Sequence, residues 1–78
     1  MTTQSFVKSQ ANLASSVKKL RKSLGLTQEE LAFRAGIDRT YASQIERAIA
    51  NPSLAIICML ADELGCDCSD LLVAPESK

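Results

Sequence analysis

Three glycines divide the chain into short segments, and each glycine follows a stretch in which apolar residues recur at helical spacing. These glycines are Gly25, Gly36 and Gly65. Because glycine adopts a left-handed backbone conformation without strain, it commonly follows the last residue of a helix. The pattern therefore predicts short helices joined by tight turns, and no segment shows the alternation that is typical of a strand.

The first predicted helix is amphipathic. Leu13, Val17, Leu20 and Leu24 follow one another at steps of four, three and four residues, which places them on one helix face. Phe6 lies one heptad before Leu13, so the same face also allows the helix to begin near the N-terminus.

Polar residues with capping chemistry mark the starts of the later helices. Thr27 and Glu30 have the spacing of a capping box, in which a hydroxyl and a carboxylate satisfy free amides at a helix start. Asp38 and Ser53 stand where they can cap the third and fourth helices. The sequence therefore predicts an all-α fold. Its five helices are the first one, Gln28–Ala35, about Arg39–Arg47, about Leu54–Leu64, and a short one with Cys68, Leu71 and Leu72.

With 78 residues, the chain corresponds to one small domain. We assign residues 11–73 to this domain, residues 1–10 to an N-terminal extension that can hold the start of the first helix, and residues 74–78 to a flexible tail. A chain this short cannot both bury a core and enclose a large substrate cleft. It has no His, and we find no nucleophile–base set or pair of catalytic carboxylates, so we expect no enzymatic activity.

Three cysteines, Cys58, Cys66 and Cys68, form an odd number, which fits a reducing compartment better than a disulfide framework. A metal site would need a fourth ligand that the sequence does not offer, so we interpret them as small apolar core residues and expect no metal or cofactor. No apolar stretch approaches the ~20 residues that cross a bilayer, and residues 1–10 lack the apolar block of a signal peptide. We therefore expect a cytoplasmic protein without a membrane partner.

The formal charge is zero overall, but the two parts of the chain differ. Residues 1–47 carry eight basic and four acidic side chains, a net charge of +4, whereas residues 48–78 carry one basic and five acidic side chains, a net charge of −4. A basic front indicates a polyanionic partner, although solvated helix surfaces with an uneven charge distribution explain the same numbers.

Residues 27–47 have the spacing of a helix-turn-helix motif, in which two short helices are joined by a tight turn that contains glycine. Ala32 lies where the helices would cross, so its small side chain permits close packing. Gly36 supplies the positive φ angle of the turn, and Ile37 and Ile45 hold the second helix against the first. A helix presented in this way fits the major groove of DNA. On these residues alone, an ordinary helical hairpin is the alternative.

Several short runs within residues 16–73 match one known family. They are Val17, Leu20-Arg21, residues 25–32, Ala35-Gly36-Ile37, Ile45-Glu46-Arg47, residues 51–54 and Leu64-Gly65. On these runs, which extend over about three quarters of the chain, the sequence resembles the lambda-repressor-like, or XRE, family of helix-turn-helix proteins. A narrower resemblance, carried by residues 31–41, is to the controller proteins of restriction-modification systems.

The family resemblance implies a five-helix bundle that binds operator double-stranded DNA as a homodimer, in a bacterial or phage-encoded regulator. The residues it implies for reading bases are Arg39, Thr40, Ser43 and Gln44. Those it implies for contacting phosphates are Thr27, Gln28, Tyr41 and Arg47, with Tyr41 also able to pack beneath the helix. The chemistry agrees, because Arg can donate two hydrogen bonds to guanine and Gln can pair with the adenine edge. Plain solvent exposure is the alternative for these side chains.

The resemblance also implies a structural ion pair between Arg21 in the first helix and Glu46 at the end of the third. After Arg47, however, the family usually has glycine and then Lys or Arg, whereas this chain has Ala48-Ile49-Ala50. The change predicts either a strained left-handed turn or a different end of the third helix. It also removes one expected phosphate contact.

The fourth helix is apolar on more than one face, so a second face needs a cover. The core face expected from helical spacing is Leu54, Ile57, Leu60, Ala61 and Leu64. We predict a homodimer interface on the fourth and fifth helices. Its predicted residues are Ile56, Met59 and Val73. The alternative is that the N-terminal segment with Phe6 and Val7 covers this face within one chain.

Three functions follow for comparison. The predicted one is a sequence-specific transcriptional regulator that binds a palindromic operator as a homodimer. The second is an antitoxin-like protein-interaction module that keeps the fold with weak DNA binding, which the Ala48-Ile49-Ala50 segment favours. The third is a redox or metal switch that uses the cysteines. The sequence indicates no small-molecule effector.

Overall fold

A computed structural model describes residues 2–75, and this part of the chain contains four α-helices and one 3₁₀ helix without a strand. The elements are α1 (Gln4–Ser23), α2 (Gln28–Ala35), α3 (Arg39–Glu46), α4 (Leu54–Leu64) and the 3₁₀ helix (Cys68–Leu72). The predicted all-α fold is confirmed, and α2 and α3 occupy the predicted helix-turn-helix. The last element is a 3₁₀ helix of five residues, a tighter geometry that proteins use in short segments.

The predicted helix caps are present. The hydroxyl of Thr27 accepts a hydrogen bond from the Glu30 amide at 3.0 Å, and the Glu30 carboxylate accepts one from the Thr27 amide at 2.8 Å. These hydrogen bonds with Thr27 hold the pKa of the Glu30 carboxyl below its ordinary value of 4.5. Asp38 caps α3 by accepting from the Thr40 amide at 2.9 Å, and Ser53 caps α4. The starts of α2, α3 and α4 therefore each have a local side-chain partner for one of their free amides.

α1 begins close to the N-terminus, at Gln4, where Thr3 accepts a hydrogen bond from the Phe6 amide at 3.0 Å. Residues 4–10 of the expected N-terminal extension are thus part of the first helix. Phe6 is half-buried beside an apolar groove, but Val7 is exposed.

The end of α1 differs from the predicted apolar stripe. Leu24 lies one residue beyond the helix and is exposed, so the expectation that it continues the buried face was wrong. Gly25 takes a left-handed conformation with φ 71°, and the chain then turns back so that Leu26 is buried instead. Because of this turn, Leu26 and not Leu24 is the buried leucine after α1.

The core lies where α1, α2, α4 and the 3₁₀ helix meet, and α3 packs against α2 and α1. Its buried residues are Leu13, Val17, Leu31, Ala35, Ile45, Ala50, Ile57, Leu60, Ala61, Leu64 and Leu71. Half-buried Ile37, Tyr41, Cys66 and Cys68 pack against this cluster. The core thus holds α3 from one side only.

α4 buries four of the five residues that were expected on its core face. The exception is Leu54, which is 66% exposed, so that expectation was wrong. Leu54 is the first residue of α4, and side chains tilt toward the N-terminus of a helix, which carries this one past the edge of the core. Ile56 is half-buried and packs against the core instead.

Two side chains of α1 fasten the chain after the 3₁₀ helix. Asn12 donates a hydrogen bond to the Leu72 carbonyl at 3.1 Å, and buried Ser16 donates to the Val73 carbonyl at 3.1 Å. The segment is therefore held to α1 as far as Val73. Of the expected tail at 74–78, the last three residues lie outside the described ones.

The turn after α3 has a left-handed alanine. Ala48 has φ 58°, the one positive φ at a residue other than glycine within residues 2–75. The amide of Ile49 donates to the Gln44 carbonyl at 2.9 Å, and the Gln10 side chain donates to the Ala50 carbonyl at 2.7 Å. Because a Cβ atom disfavours this conformation by about 1–2 kcal/mol, the turn is strained, as one of the two sequence-based alternatives stated.

Replacing Ala48 by glycine is expected to raise the free energy of unfolding by about 0.5–1 kcal/mol, since glycine relieves the Cβ strain but loses more backbone entropy on folding. Denaturant unfolding followed by circular dichroism measures this. Ala50→Gly is the matched control, because Ala50 is buried without a positive φ, and it should lower the stability. A similar loss in both variants would contradict the strain.

Candidate nucleic-acid interface

The side chains on α3 separate into an inner and an outer face. Ala42, Ile45 and Glu46 are buried. The outer residues are Arg39, Thr40 and Arg47, which are exposed, and Ser43 and Gln44, which are half-buried. Since positions four apart stack along one helix face, these five form a continuous polar surface about two turns long. All four residues predicted to read bases belong to it, and we name these five residues the α3 outer face.

The charges on the elements follow the division seen in the sequence. Arg39 and Arg47 stand at the two ends of α3, and Arg34 is exposed in the last turn of α2. The exposed carboxylates Asp62 and Asp70 lie on α4 and the 3₁₀ helix. Residues 27–47 nevertheless carry three basic and four acidic side chains, so the net positive charge of the first part of the chain lies on α1, and α3 presents positive charge at its two ends.

The residues predicted to contact phosphates occupy different environments. Thr27 is exposed and caps α2, where free amides favour an anion. Arg47 is exposed directly after α3. Tyr41 is half-buried and packs against the core, and Gln28 is half-buried with its amide held by Glu46. The structure thus brings Thr27 and Arg47 to the surface and places the other two at its edge.

A buried ion pair joins the first and third helices. Arg21 Nε lies 2.6 Å from Glu46 Oε2, and Arg21 Nη2 donates to Oε1 at 2.9 Å. The side chains are only 10% and 2% exposed, respectively. Hydrogen bonding to this carboxylate raises the pKa of the Arg21 guanidinium above its ordinary value. The paired, planar geometry fixes the end of α3 against α1.

Two further contacts of this ion pair were not predicted from the sequence. Arg21 Nη1 donates to the Leu26 carbonyl at 2.7 Å, in the turn before α2. Gln28 Nε2 donates to Glu46 Oε1 at 3.1 Å. The sequence signal was the Gln at the start of α2, but its spacing from Glu46 gives no indication that the two meet. The ion pair therefore connects α1, α2 and α3.

Two of the three cysteines pack against the core, and two of the three thiols have raised pKa values. Cys66 and Cys68 pack against the core, and a hydrogen bond with Cys68 raises the pKa of the Cys58 thiol. Burial raises the pKa of Cys66. Raised pKa values disfavour the reactive thiolate at neutral pH. Among the described residues, no group of three or more His, Cys, Asp or Glu side chains is placed to hold a metal ion.

These features define a helix-turn-helix DNA-binding domain. A family model described as Helix-turn-helix matches residues 17–71, and the chain belongs to this XRE-type family. Its members are DNA-binding transcription regulators and not enzymes. No helix within residues 2–75 is long and apolar enough to span a membrane.

Curated relatives are regulators. The chain is 40% identical over 68 residues to the Neisseria hypothetical transcription factor of Neisseria meningitidis, a match that covers 87% of this chain and 64% of that protein. It is 37% identical over 60 residues to control protein C.SmaI of Serratia marcescens, covering 77% of this chain and 71% of the relative. The chain thus spans less than two thirds of the length of the Neisseria protein.

Solved structures have the same fold. The Neisseria transcription factor NHTF superposes with a TM-score of 0.84 at 40% identity, over 87% of this chain and 76% of that one. The restriction-modification controller protein C.AhdI from Aeromonas hydrophila gives 0.76 at 37% identity, over 80% and 94%. SinR, the master regulator for biofilm formation, in complex with DNA gives 0.74 at 32% identity, over 78% and 98%.

Replacing Glu46 by Met is expected to lower the free energy of unfolding by about 3–5 kcal/mol, because the buried Arg21 loses its counter-ion. Chemical denaturation measures the change. Glu29→Met, at an exposed position of α2, is the control and should stay within about 0.5 kcal/mol of the original protein. Equal, small effects in both variants would show that the ion pair does not hold the helices together.

Proposed function

We propose that the protein is a sequence-specific transcriptional regulator that binds a palindromic operator as a homodimer, with α3 in the major groove. The observation that carries this proposal is the α3 outer face, a polar and basic surface on a helix that the core holds from one side. SinR, a structural neighbour at 32% identity, has been solved in complex with DNA, which supports DNA binding by this chain.

The base contacts follow from the chemistry of the exposed side chains. Arg39 lies at the start of α3, where a long side chain can donate to guanine O6 and N7. Gln44 can accept a hydrogen bond from adenine N6 and donate one to adenine N7, and the Thr40 methyl can contact a thymine methyl. Ser43 lies between these positions and can bond either a base or the sugar–phosphate edge.

Phosphate contacts would hold α3 in the groove. Thr27 and Gln28 stand at the N-terminus of α2, where backbone amides favour an anion. Arg47 contributes a charge at the other end of α3, and Tyr41 can bring its hydroxyl to the backbone from beside the core. We propose these four residues as the phosphate contacts.

The proposed homodimer uses apolar surface on the later elements. Met59 of α4 is 40% exposed and Val73 is 57% exposed, while Ile56 lies half-buried beside the core. Burying such side chains in a second copy removes apolar area from water. A two-fold dimer would place two copies of α3 about 34 Å apart, the distance between successive major grooves on one side of the duplex.

The names of two relatives support a role as a controller protein of a restriction-modification system. C.SmaI is named a control protein, and C.AhdI is a restriction-modification controller protein. We propose that this chain, too, regulates transcription as a restriction-modification controller protein.

Selection of bound sequences from random duplex DNA tests the proposal. A palindromic consensus with a steep loss of affinity as salt rises supports the regulator. No enrichment would overturn it in favour of the antitoxin-like interaction module, which the Ala48-Ile49-Ala50 segment favours because it lacks one expected phosphate contact.

Replacing Arg39 by Ala is expected to relax one base position of the consensus at a cost of about 1–3 kcal/mol, because two hydrogen bonds to guanine are lost. Repeating the selection with the variant and measuring affinity for single-base variants checks this. Arg34→Ala is a matched control, since Arg34 is exposed on α2 outside the α3 outer face. If Arg39→Ala weakens binding to all sequences equally, Arg39 contacts the backbone instead.

Replacing Met59 by Glu is expected to convert the dimer to a monomer, since a carboxylate in the interface would be buried without a partner. Sedimentation at micromolar concentration, with and without DNA, measures the assembly. Val7→Glu places the same charge on an exposed apolar residue of α1 outside the proposed interface and should leave the dimer intact. A dimer that persists in Met59→Glu, or an original protein that is always monomeric, contradicts this interface.

A further inference from the structure

The carboxylate of Glu46 receives three hydrogen bonds, and they come from two sides. Oε2 accepts from Arg21 Nε at 2.6 Å, and Oε1 accepts from Arg21 Nη2 at 2.9 Å and from Gln28 Nε2 at 3.1 Å. Arg21 and Glu46 are buried, whereas Gln28 is half-buried. Gln28 is therefore the donor to this carboxylate that lies at the edge of solvent.

The position of Gln28 connects two elements of the proposed interface. It is the first residue of α2, directly after the Thr27 cap, and Glu46 is the last residue of α3. The side-chain amide of glutamine has two hydrogens on the same nitrogen. One hydrogen is directed to Glu46. The other hydrogen can therefore be donated to a phosphate only if the phosphate lies in a restricted direction.

We propose that Gln28 is a positioning residue that couples contact with a DNA phosphate to the orientation of α3, acting through Glu46. This inference rests on the proposed function. A phosphate bonded by Gln28 would fix the orientation of the Gln28 side-chain amide. This amide donates to the Glu46 carboxylate, and Glu46 is the last residue of α3, so the orientation of the C-terminal end of α3 would be fixed as well. Gln44 and Ser43 are within one turn of Glu46, so their base contacts depend most on this orientation. Arg39, at the far end of the helix, depends least.

A positioning role and a simple phosphate contact predict different effects on DNA binding when Gln28 is replaced. Loss of a phosphate contact weakens binding to all sequences by a similar factor, because phosphates carry no sequence information. Loss of a positioning contact weakens binding to the preferred sequence more than to its single-base variants. Since glutamine is uncharged, neither loss at Gln28 changes the dependence of affinity on salt.

The test uses Gln28→Met, which keeps the length of the side chain and removes its donors, on the full chain. Affinity is measured for the selected consensus and for each single-base variant across a salt series. We expect discrimination at the base pairs read by Gln44 and Ser43 to fall about tenfold, as for a lost hydrogen bond to a charged group. Discrimination at the base pair read by Arg39 and the salt slope should stay as they were.

Arg47→Met is the matched control, because it removes a proposed phosphate contact that has no bond to Glu46. It should weaken binding to all sequences equally and lower the salt slope by about one. Gln28→Lys retains a donor for Glu46 and for a phosphate, so it should restore the lost discrimination. Thermal melting of each variant measures any loss of fold separately, because a purely structural role would lower the melting temperature and leave discrimination unchanged.

The outcomes distinguish this inference from the proposed function. If the original protein selects a consensus and Gln28→Met weakens all sequences equally, or changes nothing, Gln28 is at most a phosphate contact and the inference is overturned. If discrimination falls equally at all positions, including that of Arg39, the coupling through Glu46 is also overturned. A failure of the original protein to select any sequence overturns the proposed function, and the inference with it.

Discussion

The ion pair between Arg21 and Glu46 is the contact on which the geometry of the helix-turn-helix depends. A buried charge without a counter-ion is costly, so the pair leaves few alternative positions for α3 relative to α1. Arg21 also bonds the Leu26 carbonyl before α2, and Glu46 also accepts from Gln28. One buried guanidinium and one carboxylate therefore connect three helices through a single hydrogen-bond network.

The two ends of α3 are made in different ways. Before α3, Gly36 takes a left-handed conformation with φ 72°, which glycine adopts without strain, and Asp38 then caps the helix. After α3, Ala48 adopts a similar conformation with a Cβ atom present, and hydrogen bonds to the Gln44 carbonyl and from Gln10 hold the turn. Tertiary contacts thus impose at the second turn a shape that the residue itself disfavours.

The chain also separates its surfaces by chemistry. Basic side chains gather on α1 and at the two ends of α3, where Arg39 and Arg47 are exposed. α2 carries exposed Glu29 and Glu30, and α4 and the 3₁₀ helix carry carboxylates and exposed apolar residues such as Met59. A polyanion is therefore attracted to the ends of α3 and repelled by the later elements.

The amino-acid sequence by itself determined the elements, because the information for them is local. Capping pairs such as Thr27 with Glu30, and glycines such as Gly36, act within a few residues, and the bounds of α2 and α4 followed from them. The outer residues of α3 also followed from helical spacing. The resemblance to a family, and no local pattern, supplied the pairing of Arg21 with Glu46.

Only the tertiary structure decided where the ends of the helices point and what distant polar groups meet. Leu24 and Leu54 fit an apolar period but are exposed, since the period does not show where the core stops. The bonds of Gln28 to Glu46 and of Ser16 to the Val73 carbonyl join residues far apart in sequence. Such contacts depend on the packing of whole helices, and no spacing along the chain encodes them.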